Sequence, residues 1–171
     1  MSKLEPPDAF ALSAALGWIE LGNPTEALAE LERVTPDNQA HPGVLELRWA
    51  ALAELKRWAH AFAVASDLVR VNPQSVNGWL HRAYALRRMP EGGIQLAWDA
   101  LLPAGEKFKK EPVVAFNLAC YACQLERMDE ARIWLERAMK IGKRREIQTM
   151  ALADEDLKPL WTEIRAQAKD R

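Results

Sequence analysis

A small residue recurs along this chain at a nearly constant interval, and this recurrence restricts the fold more than any other feature. The intervals are 34, 36 and 34 residues, and the positions are Ala27, Ala61, Ala97 and Ala131. The longer interval requires a two-residue insertion near 91–93. A period of this length is typical of stacked structural repeats, in which each unit buries its apolar face against its neighbours. We therefore expect a repeat protein.

The stretch from Pro112 to Gly142 shows what one repeat encodes. Apolar and small residues follow a helical spacing on both sides of a break at 126–128, first at Ala115, Leu118, Ala119, Ala122 and Leu125, then at Ala131, Leu135, Ala138 and Ile141. This spacing predicts two amphipathic helices that pack as an antiparallel hairpin. The same patterning predicts earlier helices at about 9–21, 24–35, 43–56, 58–71, 75–88 and 94–108. We expect Asp8 and Asn23 to cap the first two, and Pro103 to kink or shorten the last.

Several short segments also match a known repeat pattern. They are Gly22-Asn23-Pro24-Thr25-Glu26-Ala27, Trp58-Ala59-His60-Ala61, Val71-Asn72-Pro73, Trp79, Leu118-Ala119-Cys120-Tyr121-Ala122 and Asp129-Glu130-Ala131. Over roughly Asp8 to Gly142 the sequence resembles the tetratricopeptide repeat (TPR) family. The resemblance implies an all-α fold, a right-handed α-solenoid of antiparallel helix hairpins (a TPR-like superhelix). We expect a single domain over 1–171, with repeats at about 8–41, 42–75, 76–111 and 112–142.

The pattern changes after Gly142, where a C-terminal cap over 143–171 is expected. Asp156 is placed to cap a last helix running from Leu157 to about Ala168. This helix carries an apolar stripe at Leu157, Leu160, Trp161 and Ile164. Repeat proteins need such a segment to shield the last repeat from solvent. Many bacterial TPR chains close with a similar aspartate-rich turn and Pro-Leu helix.

Composition and charge exclude several classes of partner. The chain has 23 basic and 24 acidic residues, so its net charge of −1 gives no electrostatic basis for binding nucleic acid or an anionic membrane. No apolar run approaches the roughly 18 residues of a membrane span. The first residues lack the apolar core of a signal peptide. We expect a cytoplasmic location.

The family resemblance also indicates where a partner would bind, because the first helix of each TPR hairpin lines a concave groove. The groove positions are Leu12, Leu16, Glu46, Asn77, Leu80, His81, Tyr84, Arg87, Arg88, Val113, Phe116 and Asn117. The positions of the carboxylate clamp found in TPR cochaperones hold no lysine or arginine, so we expect no such clamp. Arg87 and Arg88 beside Tyr84 could hold an acidic or aromatic side chain. The other interpretation is that both arginines are solvated residues near a helix end, where the helix dipole favours cations.

Other residue patterns suggest chemistry but favour a structural interpretation. Cys120 and Cys123 form C-x-x-C in the middle of a helix, whereas redox pairs lie at helix N-termini and a zinc site needs two further ligands. The spacing of the seven tryptophans follows the repeat, which favours core packing. The sequence has no phosphate-binding glycine loop and no nucleophile elbow. We expect no catalytic residue, no metal and no cofactor.

Taken together, the sequence predicts a non-enzymatic protein-interaction module or scaffold that binds a peptide or helical segment in the concave groove. Two alternatives stay open at this point. One is a TPR-type secretion chaperone, and the other is a structural homo-oligomerisation subunit, such as a homodimer, without a separate ligand. The apolar groove residues are compatible with either, because a second protomer or the chain's own N-terminus could cover them as well as a peptide could.

Overall fold

The computed structural model describes residues 4–169; Met1–Lys3, where a signal segment would begin, and Asp170 and Arg171 lie outside the described residues. Over that range the secondary structure is α-helical with two 3₁₀ helices and no strand. The described parts of Met1–Glu91 and of Gly92–Arg171 each form a compact unit, called here the first and the second unit. The boundary falls at the predicted insertion near 91–93.

The first unit contains five of the described α-helices and a 3₁₀ helix, Pro36–Asn38. The α-helices are α1 Asp8–Glu20, α2 Pro24–Glu32, α3 Pro42–Glu54, α4 Trp58–Val71 and α5 Val76–Arg88. Gly22 ends the first hairpin arm with a φ of 71°, a conformation that glycine adopts without steric cost. The predicted cap at Asn23 is confirmed, because its side chain accepts from the Glu26 N–H at 3.4 Å.

The recurring alanines explain the close packing of the helices. Ala27, Ala61, Ala97 and Ala131 are all fully buried. In the first unit α1 packs on α2, α2 and α4 pack on α3, and α5 packs on α4. The core around the first hairpin is built from Leu4, Ala11, Ala15, Ala27, Leu31, Val34, Val44 and Ala51. A larger side chain at the recurring positions would force neighbouring helices apart.

Asp8 does not cap α1, which corrects the prediction. It is the first residue of the helix, and its buried carboxylate points to the segment after α2. The Thr35 N–H and hydroxyl donate to it at 2.8 and 2.6 Å, and the Asn38 amide donates at 2.6 Å. These hydrogen bonds hold the pKa of Asp8 below its ordinary value of 3.8. The Asp8 carboxylate therefore accepts hydrogen bonds from residues distant in sequence and does not cap its own helix.

The second unit contains α6 Ile94–Lys107, α7 Pro112–Gln124, α8 Met128–Ile141, α9 Arg144–Ala153, a 3₁₀ helix Glu155–Leu160 and α10 Trp161–Lys169. Pro103 lies inside α6 and does not shorten it. Its ring removes the hydrogen bond to the Asp99 carbonyl, and both residues are exposed. Water can therefore satisfy that carbonyl, which explains why the helix continues.

The C-terminal cap is present, but its local structure differs from the prediction. Asp154, and not Asp156, accepts the capping hydrogen bond, from the Asp156 N–H at 3.0 Å. A 3₁₀ helix, which contains Pro159, precedes α10. Leu157, Leu160 and Ile164 are at most 2% exposed, as expected of a buried stripe. The longest helices in the described range have 14 residues, and none combines the length and apolar character needed to cross a membrane.

Candidate functional site

Helices α3 and α5 bring together side chains that lie one repeat apart in the sequence. His81 Nε2 on α5 lies 2.9 Å from Glu46 Oε2 on α3, and both side chains are half-buried. The two residues are 35 positions apart. The first helices of successive hairpins are thus joined by a polar contact at equivalent positions. This contact fixes the orientation of the imidazole ring.

Three aromatic rings form a cluster with the His81 imidazole. The Trp49 ring stacks on His81 with their centroids 3.6 Å apart and their planes at 11°. Tyr84 meets Trp49 and Trp58 edge-on, at centroid distances of 6.1 and 5.8 Å. Both edge-on arrangements are favourable for aromatic quadrupoles. We call Trp49, Trp58, His81 and Tyr84 the aromatic surface.

Arg88 covers one side of the aromatic surface. Its guanidinium carbon lies 3.3 Å from the Tyr84 ring centroid and 5.6 Å from that of Trp58. One Nη also donates to the Tyr84 carbonyl at 3.2 Å. The Tyr84 residue remains 38% exposed, and Arg88 is exposed as well. The guanidinium is therefore held in place over an aromatic face while several of its five N–H donors point away from this contact.

The remaining predicted groove residues of the first unit are more dispersed. Leu12 is half-buried and packs against the core of the first hairpin, whereas Leu16 is 45% exposed. On α5, Asn77 is exposed, and Leu80 and Arg87 are half-buried. The structure thus concentrates Glu46, His81, Tyr84 and Arg88 into one surface and leaves the α1 leucines outside it.

The predicted groove residues of the second unit lie on α7, which is buried on almost every side. Val113 is 36% exposed, and the Asn117 amide donates to the Val113 carbonyl of its own helix at 2.9 Å. Phe116 is only 6% exposed, which corrects its assignment to an open surface. The physical reason is that α7 packs against α6, α8 and the 3₁₀ helix of the cap. Phe116 therefore belongs to the core.

The cap also reaches the C-terminal half of α7. The Cys120 thiol donates to Asp154 Oδ2 at 3.7 Å, and the Gln124 amide donates to the Asp156 carbonyl at 3.2 Å. Cys123, one helical turn from Cys120, is 4% exposed. Burial raises the pKa of the Cys123 thiol, and the Asp156 carboxylate raises it further. A raised pKa disfavours the thiolate, so Cys123 does not have the character of a redox nucleophile.

The sequence interpretation assigned the tryptophans to the core, and Trp49 and Trp58 do pack against the buried cluster of Leu52, Ala61 and Ala85. What it did not predict is their contact with Tyr84 at the edge of that cluster. Trp98, at 3% exposure, is buried, and the other six, all within the described range, are half-buried. A signal for the surface was present in the spacing. Trp49 and Tyr84 are one repeat apart, as are Glu46 and His81. Matching first-helix positions across repeats would have paired them.

Comparison with known proteins supports the fold. No protein-family model matches the sequence, and neither does any curated protein. Among solved structures, MamA (41-end) from Desulfovibrio magneticus RS-1 is similar over 99% of both chains, with 15% identity and a TM-score of 0.71. MamA MSR-1 C2 is similar over 79% of this chain and 76% of that one, with 19% identity and a TM-score of 0.64. These neighbours are TPR-like helical repeat proteins, and this chain has the same fold.

Proposed function

We propose that this chain is a non-enzymatic protein-interaction module that binds a peptide or helical segment on its first-helix face. The aromatic surface of the first unit, with Arg88, is the proposed docking site. The observation that carries the proposal is the exposed Tyr84 ring with a positioned guanidinium stacked on it. Aromatic residues and arginine are the side chains that most often dominate binding energy at protein interfaces.

The chemistry of this surface indicates the partner. Arg88 can donate two parallel hydrogen bonds to a carboxylate, and its stacking on Tyr84 reduces the conformational entropy lost on binding. The rings of Tyr84 and Trp49 offer an apolar contact beside it. The partner segment is therefore expected to combine a carboxylate with an aromatic or large aliphatic side chain.

A selection from a display library of random linear peptides tests the proposal. The wild-type chain is the bait, and Tyr84→Ala/Arg88→Glu is kept for the binding assay that follows the selection. We expect enriched peptides to share an acidic residue near an aromatic one. In a direct binding assay the double variant should lower the affinity by at least about tenfold, or roughly 1.4 kcal/mol.

The matched control is Arg70→Glu, the same charge reversal at an exposed position of α4. Circular dichroism establishes that both variants are folded. The control should bind the selected peptides like the wild type. Equal binding by all three proteins would place the interaction away from the aromatic surface and overturn the proposal. A protein partner then identified as a secretion translocator would favour the chaperone alternative.

Self-association is the second candidate, and exposed apolar residues on the first hairpin favour it. Phe10 and Leu21 are 69% and 76% exposed, and Leu16 on the same hairpin arm is 45% exposed. Apolar residues that gather into an exposed patch often mark an interface. Light scattering coupled to size exclusion decides between the candidates. A stable dimer that Phe10→Ser/Leu21→Ser converts to a monomer would support the structural role, and a concentration-independent monomer would oppose it.

A further inference from the structure

The second unit contains a cluster of thiol and carboxyl groups that the proposed function does not use. Cys120 Sγ and one carboxylate oxygen from each of Asp154 and Asp156 lie within 4.8 Å of one another. Cys120 is 3% exposed, and the two aspartates are half-buried. The sequence analysis identified only the C-x-x-C pair and no further metal ligands. Folding of the cap onto α7 supplies two carboxylates beside it.

A second thiol faces the same region. Cys123 follows Cys120 by three residues, so both lie on one side of α7. It is 96% buried, and its thiol makes no hydrogen bond to any residue of the described chain. Its sulfur therefore offers a further donor atom one helical turn from Cys120.

We propose that Cys120, Cys123, Asp154 and Asp156 form a binding site for a divalent cation of the zinc type. Zn²⁺ bonds to sulfur at about 2.3 Å and to carboxylate oxygen at about 2.0–2.2 Å, so neighbouring donors in a tetrahedron are about 3.5 Å apart. The Cys120–Asp154 distance of 3.7 Å is close to this value. The ligand atoms of Cys120, Asp154 and Asp156 already lie within 4.8 Å of one another, and Cys123 Sγ, which is outside that set, would move toward it to complete the site.

The donor set defines the class of ion. Thiolates select borderline and soft ions such as Zn²⁺, whereas Mg²⁺ and Ca²⁺ bind through oxygen ligands alone. On binding, each thiol loses its proton to solvent and forms one sulfur–metal bond, so an ion held by both cysteines releases two protons. The bound ion would offset the negative charge that two thiolates and two carboxylates gather in a half-buried place.

The site would fasten the cap to the last hairpin. Cys120 and Cys123 belong to α7, and Asp154 and Asp156 belong to the cap, so one ion would join the two. An ion that binds the folded state raises its stability by mass action. The site therefore predicts that metal strengthens the docking of the cap. This inference does not rest on the proposed peptide binding, and the two can fail separately.

The test uses the full chain, freed of metal with a chelator and kept reduced. Zn²⁺ affinity is measured by competition with a chromophoric chelator, and Co²⁺ is titrated to detect the thiolate-to-cobalt charge-transfer absorption. The site variants are Cys120→Ser and Asp154→Asn. The asparagine retains an oxygen that can accept the Asp156 N–H, so the cap is kept. Glu155→Gln is the matched control, because Glu155 lies between the two aspartates but pairs with Lys158.

We expect the wild type to bind one Zn²⁺ per chain, to show the charge-transfer band with Co²⁺, and to gain thermal stability with either ion. Each site variant should lose more than about tenfold in affinity, since even second-shell changes at metal sites cost 10- to 100-fold. Glu155→Gln should bind like the wild type. No stoichiometric binding by the wild type would overturn the proposal, as would binding that Cys120→Ser leaves unchanged. Full competition by Ca²⁺ would equally exclude a thiolate site.

Discussion

Helix α5 of the first unit and helix α7 of the second are each the first helix of a predicted hairpin, yet they differ in how much of their surface is buried. On α5 the buried residues are Gly78, Ala83 and Ala85, and Tyr84 stays exposed. On α7 every residue from Val114 to Cys123 except Asn117 is buried. The cap packs on α7. The same repeat position therefore serves as an exposed surface in one unit and as core in the other.

The two sequences explain this difference. Helix α7 reads PVVAFNLACYACQ and contains no charged residue, whereas α5 reads VNGWLHRAYALRR and contains three arginines and a histidine. A helix that is apolar on all sides must be buried to be stable, while an amphipathic helix needs cover on one side only. The cap is thus a requirement of α7. Truncating a cap residue that covers α7 is therefore expected to cause the largest loss of stability.

Leu157→Ala should strongly destabilise the second unit. Leu157 is fully buried in the 3₁₀ helix that packs on α7. Truncation of a buried leucine leaves a cavity and costs about 2–5 kcal/mol. Urea unfolding followed by tryptophan fluorescence measures the change. Leu21→Ala, at a position 76% exposed in the first unit, is the control and should shift stability by no more than about 0.5 kcal/mol. Equal losses in both variants would mean that the cap is not a determinant of stability.

A pair of glycine-to-alanine substitutions, one in each unit, should give the next largest difference in stability. A Cβ at Gly105 in α6 would lie 2.6 Å from the Trp134 ring and 2.9 Å from Leu118, whereas one at Gly78 in α5 would meet its nearest neighbours at 3.2 Å. Overpacking costs about 1–3 kcal/mol, against which alanine gains about 1 kcal/mol in helix propensity. Gly105→Ala should therefore lower stability, and Gly78→Ala should be near neutral. Thermal melts of both variants test this ranking, which a more stable Gly105→Ala would contradict.

The sequence predicted the parts of this fold that depend on local pattern. The bounds of α4, Trp58–Val71, agree with the expected 58–71, and Asn23 caps α2 as expected. These features depend on residues close in sequence, such as periodic alanines and a cap three residues from its donor. Asp8 and Asp156 were misassigned for the opposite reason. The true partner of Asp8 is Thr35, 27 residues away, and no local rule identifies it.

The candidate surface was predicted in part. The groove assignment for α5 included Tyr84, His81 and Arg88, which the structure brings together. It did not include Trp49, because large aromatics at helical spacing were assigned to the core. Whether a tryptophan in a repeat protein is buried depends on the next repeat. That neighbour is identified by the repeat period and not by the tryptophan's own helix.

Acid should weaken the first hairpin through Asp8, an effect confined to low pH. The native pKa of Asp8 lies below its unfolded value of about 3.9, because Thr35 and Asn38 donate hydrogen bonds to the ionised form. The stabilisation that the ionised Asp8 gives to the folded state is therefore fully present above the unfolded pKa. It disappears as the pH falls through the lower native pKa. Asp8→Asn should be less stable than the wild type at neutral pH, because its amide would face the Asn38 donor.

The measurement is the thermal midpoint as a function of pH for the wild type and Asp8→Asn. The difference between their midpoints should be constant near neutrality and shrink in acid, where the wild-type carboxylate is protonated. Asp67→Asn, at an exposed residue paired with Arg70, is the control and should show little such dependence. A difference that persists unchanged in strong acid would show that the hydrogen bonds do not depend on the charge of Asp8.

The smallest effect is expected at Glu46, which positions His81 beneath Trp49. Glu46→Gln retains an oxygen that can accept from His81 Nε2, so affinity for the selected peptides should change by less than about twofold. Glu46→Ala removes the hydrogen bond and frees the ring, which should cost about 0.5–1.5 kcal/mol, or roughly 2- to 12-fold in affinity. Near-UV circular dichroism reports the Trp49–His81 stack independently of any ligand. If Glu46→Ala leaves both the spectrum and the affinity unchanged, the Trp49–His81 stack keeps its geometry without the Glu46 hydrogen bond. The first-helix face of the first unit would then be preorganised by its aromatic rings alone.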